Sequence, residues 1–75
     1  MPLVTIRALE GALTPAQRED LMVRVTDAVV AVQGEGVRNV TWVIFDEIRD
    51  RTISIGGDVK SSAYVRGLMA NRAAT

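Results

Sequence analysis

Residues 40–45 read Val40-Thr41-Trp42-Val43-Ile44-Phe45. Alternate side chains of a strand point to the same side, so Trp42 and Ile44 share one face and Val43 and Phe45 the other. Both faces are apolar, and a strand of that kind needs cover on both sides. Upstream lie one further strand and one long helix. Leu3 to Glu10 reads as a strand with Pro2, Val4, Ile6 and Ala8 on one face and Leu3, Thr5, Arg7 and Leu9 on the other. Gly11 ends it. Thr14-Pro15-Ala16-Gln17 then starts a helix: Thr14 caps, Pro15 suits the first helical position, and Gln17 completes a capping box. Leu21, Met22, Val25, Ala28, Val29 and Val32 follow at helical spacing as an apolar stripe, and Gly34 is the stop.

Strand, helix, strand at this spacing predicts a right-handed βαβ unit with a parallel strand pair. Downstream, Asp46 to Arg51 reads as a charged connection and Thr52-Ile53-Ser54-Ile55 as a short extended segment closed by Gly56-Gly57. Ser61 to Asn71 reads as a helical tail, with Tyr64, Leu68 and Met69 able to pack back. The expected fold is therefore α/β, a single domain over residues 1–75. One helix covers one face of a small sheet. The other apolar face stays open, which predicts a homo-oligomer whose sheets pack on one another.

Composition points the same way. A 75-residue chain with 48% apolar residues folds. At this length, however, it hides only about 60% of its unfolded surface and normally needs a staple. There is no cysteine and no histidine. That excludes disulfides, Ser-His-Asp and Cys-His catalysis, and argues against zinc or haem. Oligomerisation is the staple that remains. Nine basic residues, all arginine except Lys60, balance nine acidic ones. No basic excess points to nucleic acid or to an anionic membrane, and no apolar run reaches the roughly 20 residues of a membrane span. The start, Met1-Pro2-Leu3-Val4, has no secretory pattern. The expected location is the cytoplasm.

Without His or Cys, few groups titrate near neutral pH. One is a terminal amine. Pro2 is small enough for Met1 to be removed, which would expose a secondary amine, and an α-amino group ordinarily titrates near 7.7–8.0. Burial or a neighbouring arginine lowers that value. The neutral nitrogen is then a general base or a nucleophile. Other signals are weak. Ile55-Gly56-Gly57-Asp58 has too few glycines and no following lysine for a phosphate loop, and a tight turn explains it. Asn39-Val40-Thr41 matches a glycosylation triplet by chance. Asp46-Glu47 points to opposite faces and does not pair for acid–base work.

Pro2-Leu3-Val4-Thr5-Ile6, Leu9-Glu10-Gly11, Thr14-Pro15-Ala16-Gln17-Arg18 and Ile55-Gly56-Gly57, in this order and spacing, resemble the 4-oxalocrotonate tautomerase family from Pro2 to about Val59. The resemblance implies a small βαβ protein, commonly a hexamer built as a trimer of dimers. It also implies an amino-terminal proline that shuttles a proton between the carbons of a keto–enol pair without a cofactor. Family arginines bind the substrate carboxylate and polarise its carbonyl. Here they are missing. The arginine position after Leu-Glu-Gly is Ala12, or Leu13 if the gap is placed differently, the second-strand arginine position is Trp42, and a family aromatic position is Ile53. Pro2 alone matches a functional group.

The expected site is thus Pro2 as general base, with Trp42 and Ile53 as apolar pocket walls. Arg51 or Arg38 stands in for the lost anion binders. Arg51 and Ile53 are two apart, so extended backbone would turn them to the same side. The expected substrate is a small carbonyl or carboxylate compound. The competing expectation is a non-catalytic oligomeric module of the same fold, or a member doing hydration or dehalogenation chemistry.

Overall fold

The computed structural model describes residues 2–70. Strand β1 (Leu3–Leu9) is followed by helix α1 (Pro15–Gln33), a 3-10 helix (Glu35–Val40), strand β2 (Trp42–Ile48), the short strands β3 (Ile53–Ile55) and β4 (Asp58–Lys60), and helix α2 (Ser62–Met69). β1 and β2 pair in parallel, Leu3 opposite Trp42 through Leu9 opposite Ile48. The fold is the expected α/β unit with a parallel pair and an intervening helix.

α1 forms where its capping signals lie. The Gln17 N–H donates to Thr14 Oγ1 at 3.1 Å, and the Thr14 N–H donates back to Gln17 Oε1 at 2.9 Å, the reciprocal pair that satisfies two orphan donors. Gly34 closes the helix, its N–H donating to the Val30 carbonyl at 2.8 Å. The inward stripe is Met22, Val25, Val29 and Val30, with only Val30 fully buried. Val32, expected on that stripe, is 86% exposed, and Leu21 and Ala28 also face out. Val29 and Val30 share the inward edge, which turns Val32 away at 100° per residue.

Strand β2 starts later and runs further than its apolar core predicts. Val40 belongs to the 3-10 helix, and the strand continues through Asp46, Glu47 and Ile48. The charges are accommodated because each finds a partner. Arg7, beside Asp46 in the ladder, pairs with it at 3.1 Å, and Arg18 of α1 reaches Glu47 at 3.0 Å. A second strand follows the glycines. Ile55-Gly56-Gly57-Asp58 makes a two-residue hairpin turn with φ of 61° and 86° at the glycines. That is the positive-φ pair which matches the twist of flanking strands. The helical tail is α2; Asn71 lies outside the described residues.

Helix α1 covers the face carrying Val4, Ile6, Val43 and Phe45, all half-buried. On the opposite face Leu3, Trp42 and Ile44 are 62%, 57% and 46% exposed. Residues 53–59 of the β3–β4 arm are exposed throughout, Ile53, Ile55 and Val59 among them. The buried hydrophobic residues are Leu9, Ala12 and Val30, and no large side chain is completely buried among those described. The accessible surface is 5490 Å², against about 4500 Å² for a compact monomer of this mass.

Candidate functional site

Pro2 stands at the entrance of β1. Its carbonyl accepts the Trp42 N–H at 2.9 Å, the first rung of the parallel ladder. The rung holds Pro2 against the sheet through its carbonyl and leaves its nitrogen directed to the chain start. Pro2 is half-buried and by strand alternation lies on the side of Val4 and Ile6, under α1. Trp42 sits opposite Leu3 and lies on the open side. The two residues are thus backbone neighbours whose side chains leave opposite faces of one sheet.

The other expected site residues lie elsewhere in the chain. Ile53 opens the β3–β4 arm. Arg51 occupies the turn that precedes it, closed by Thr52, whose N–H and hydroxyl both donate to the Arg49 carbonyl at 3.2 and 2.6 Å. Arg51 has φ of 61°, the left-handed region that side chains rarely adopt. The premise that extended backbone turns Arg51 and Ile53 to one side therefore fails: the chain reverses between them. Arg51 is exposed and has no ion-pair partner among the described residues.

Arg38 is differently placed. Its guanidinium donates to Glu35 at 2.6 Å and to Asp27 of α1 at 2.8 Å. The hydrogen bonds that Arg38 donates to Glu35 and then to Asp27 raise the Arg38 pKa further above its ordinary value, and the bond to Glu35 lowers the pKa of Glu35. Arg38 clamps the corner where α1 turns towards β2.

The principal concavity is at the far end of β1, about 20 Å from Pro2 by strand rise. There the Leu9-Glu10-Gly11 segment anchors the tail. The Glu10 carboxylate accepts the Asp50 N–H at 3.1 Å, and the Asp50 carboxylate accepts the Ser62 N–H at 2.8 Å at the start of α2. Arg66, one turn further, donates through Nη1 to the Gly11 carbonyl at 2.8 Å and to the buried Ser62 hydroxyl at 3.2 Å. These bonds seat α2 beside the loop before α1 and leave a cleft of about 500 Å³ between them, lined by Gly11, Ala12, Leu13, Arg66, Met69 and Ala70, with Thr14 and Gln17.

Sequence reasoning did not single out Arg66. It lies 55 residues from the carbonyl it reaches, and no local pattern signals such a contact. Its guanidinium lies beside Gly11, and it lines one cleft with Ala12, the position where the resemblance implies an arginine.

No group of three or more Asp and Glu side chains among the described residues is placed to hold a metal ion. None of their helices is long and apolar enough to cross a membrane.

A two-strand βαβ unit that opens on a proline defines a narrow class of small proteins. Residues 2–63 match a family described as tautomerase enzyme, and the chain belongs to that family. The match begins at Pro2 and ends within α2, before Arg66. No curated protein matches the chain.

Proposed function

We propose that this protein is a cofactor-independent isomerase of the tautomerase type, with Pro2 as its general base once Met1 has been removed. The observation that carries this reading is the family match whose first residue is Pro2. The neutral proline nitrogen takes a proton from the carbon next to a carbonyl. A positive or hydrogen-bonding group stabilises the enolate, and the proton returns at another atom of the keto–enol system. The substrate is a small carbonyl or carboxylate compound, and the reaction takes place in the cytoplasm.

The working unit in this reading is a homo-oligomer, with a hexamer favoured by the family resemblance. Support comes from the exposed face of Leu3, Trp42 and Ile44 and from the apolar arm of Ile53, Ile55 and Val59. Pro2 and Trp42 leave opposite faces of one sheet, so a pocket walled by Trp42 and Ile53 around Pro2 is assembled from more than one copy. Of the two arginines expected to bind a substrate anion, Arg51 has no ion pair to give up. Arg38 serves only if it gives up Asp27 and Glu35.

The test is turnover of phenylpyruvate or 2-hydroxymuconate by protein of known amino-terminal mass. Protein starting at Pro2 turns over; the same protein with its terminal amine blocked does not. A second reading, a non-catalytic oligomeric module or a member with hydration or dehalogenation chemistry, has its own observation: Ala12, Trp42 and Ile53 at positions where the resemblance implies functional groups. Protein that starts at Pro2, assembles and leaves both compounds unchanged establishes that second reading.

A further inference from the structure

We infer that the cleft between the Gly11–Thr14 loop and helix α2 is a binding site for a small monocarboxylate with an apolar body, held by Arg66. The argument begins with charge. Among the described residues Arg7, Arg18, Arg24, Arg38 and Lys60 each face a carboxylate. Arg49, Arg51 and Arg66 do not; of these three Arg66 lines the cleft, and its two hydrogen bonds go to a neutral carbonyl and a neutral hydroxyl. Both use the single nitrogen Nη1. Nε and Nη2 keep their donors, the planar fork that matches a carboxylate with two parallel bonds. The two bonds already made restrict the guanidinium before any ligand arrives, so less freedom is lost on binding.

The walls specify the remainder of the ligand. Ala12, Leu13, Met69 and Ala70 are apolar, and a volume near 500 Å³ is the size of a small-molecule site. Thr14 and Gln17 contribute polar edges, but the capping box already uses Thr14 Oγ1 and Gln17 Oε1 as acceptors. What they have left to offer is the Thr14 O–H and the Gln17 amide N–H groups, which are donors. One cation and several donors around an apolar floor select one negative charge on a hydrocarbon body. A dianion would find no second uncommitted cation, because Arg24, in the adjoining groove beyond Leu13 and Gln17, is paired with Asp20. Arg66, Met69 and Ala70 all lie past the end of the family match. The site is built from this chain's own tail, does not include Pro2, and does not rest on the proline reading.

The experiment is a titration of the full-length protein with 3-phenylpropanoate and, separately, with the neutral 3-phenylpropanamide, followed by backbone amide chemical shifts. Neither compound can tautomerise as a keto acid does, so the result is independent of turnover. Expected are saturable shifts at Gly11, Ala12, Met69 and Ala70, with the acid binding roughly tenfold or more tighter than the amide. Arg66→Met should erase that preference, and Arg66→Lys should keep part of it. Because Arg66 also seats α2, a second variant leaves it in place: Ala70→Trp fills the cleft and should weaken both compounds. Equal affinity for acid and amide would overturn the site. So would shifts confined to Trp42 and its neighbours, or Ala70→Trp binding as the wild type does.

Discussion

The two ends of β1 differ in how their functional side chains are engaged. At the Leu3 end stands Pro2, the residue at which the family match begins, pinned by its carbonyl to Trp42. Arg7, on β1 itself, is committed to Asp46, and Arg38, four residues before Trp42, to Asp27 and Glu35. At the Leu9 end stands an uncommitted guanidinium, Arg66, in the main cleft. The chain has no His or Cys that could serve as a base there. Pro2 and the Arg66 cleft are thus separated by the length of a strand in one chain. In the proposed homo-oligomer, copies meeting through the open sheet face would surround Pro2 with residues of another chain, and the proposed function would depend on assembly.

The largest effect is expected at the Leu3 end. A form that keeps Met1 has an amide where the base should be. Turnover of phenylpyruvate should fall by the full contribution of general-base catalysis, about 10² to 10⁴-fold. Pro2→Ala leaves a primary amine and should fall less. Undiminished turnover by protein whose intact mass includes Met1 would falsify the assignment of Pro2.

Next comes the open face, where the comparison is tested through assembly. Ile44→Asp puts a charge at the centre of the exposed apolar face and touches neither α1 nor Pro2. The variant should sediment as a single chain of 8.1 kDa where the wild type sediments as a multiple of it, and turnover should be lost with assembly. An Ile44→Asp protein that stays assembled would show that the sheets do not meet through this face.

Much of this was legible in the chain itself. Thr14, Pro15 and Gln17 announce the helix because capping is local chemistry. Val40 to Phe45 announces an uncovered face because strand alternation is geometry. The extension of β2 through Asp46 and Glu47 was not legible, because it depends on Arg7 and Arg18 arriving from other elements. The strand β4 was hidden for a different reason: Asp58-Val59-Lys60 is too short to show alternation, and only its partner β3 makes it a strand. Pro2 could be read as a possible base from its position alone. Arg66 could not be read at all, because its significance lies in a contact made by the tail.

The third effect separates Arg38, which precedes β2 at the Leu3 end, from Arg51, which follows β2 at the Leu9 end. If Arg51 supplies the anion contact, Arg51→Ala should raise KM for an anionic ketone about tenfold and leave kcat nearly unchanged, the signature of lost uniform binding. Arg38→Ala should leave KM alone. The reverse pattern would mean that Arg38 releases its carboxylates when substrate binds. Steady-state kinetics on assembled protein, with phenylpyruvate as substrate, reads both.

The smallest effect belongs to the corner itself. The hydrogen bond from Arg38 holds the Glu35 carboxyl below its ordinary value of 4.5. A carboxylate whose folded pKa is depressed stabilises the fold above its unfolded pKa and loses that contribution as the pH falls through the folded one. The wild type should therefore melt slightly above Glu35→Gln from neutral pH down to about pH 5, and the gap should close below pH 4.5, towards the depressed value. The raised pKa of Arg38 adds nothing in this window, since arginine stays charged throughout it. The same variant sharpens the contrast between the two ends. Glu35→Gln loosens the Arg38 clamp without removing the arginine, so a fall in KM for an anionic ketone would assign Arg38 to the substrate. An unchanged KM together with the closing thermal gap leaves Arg38 as the brace of the corner between α1 and β2.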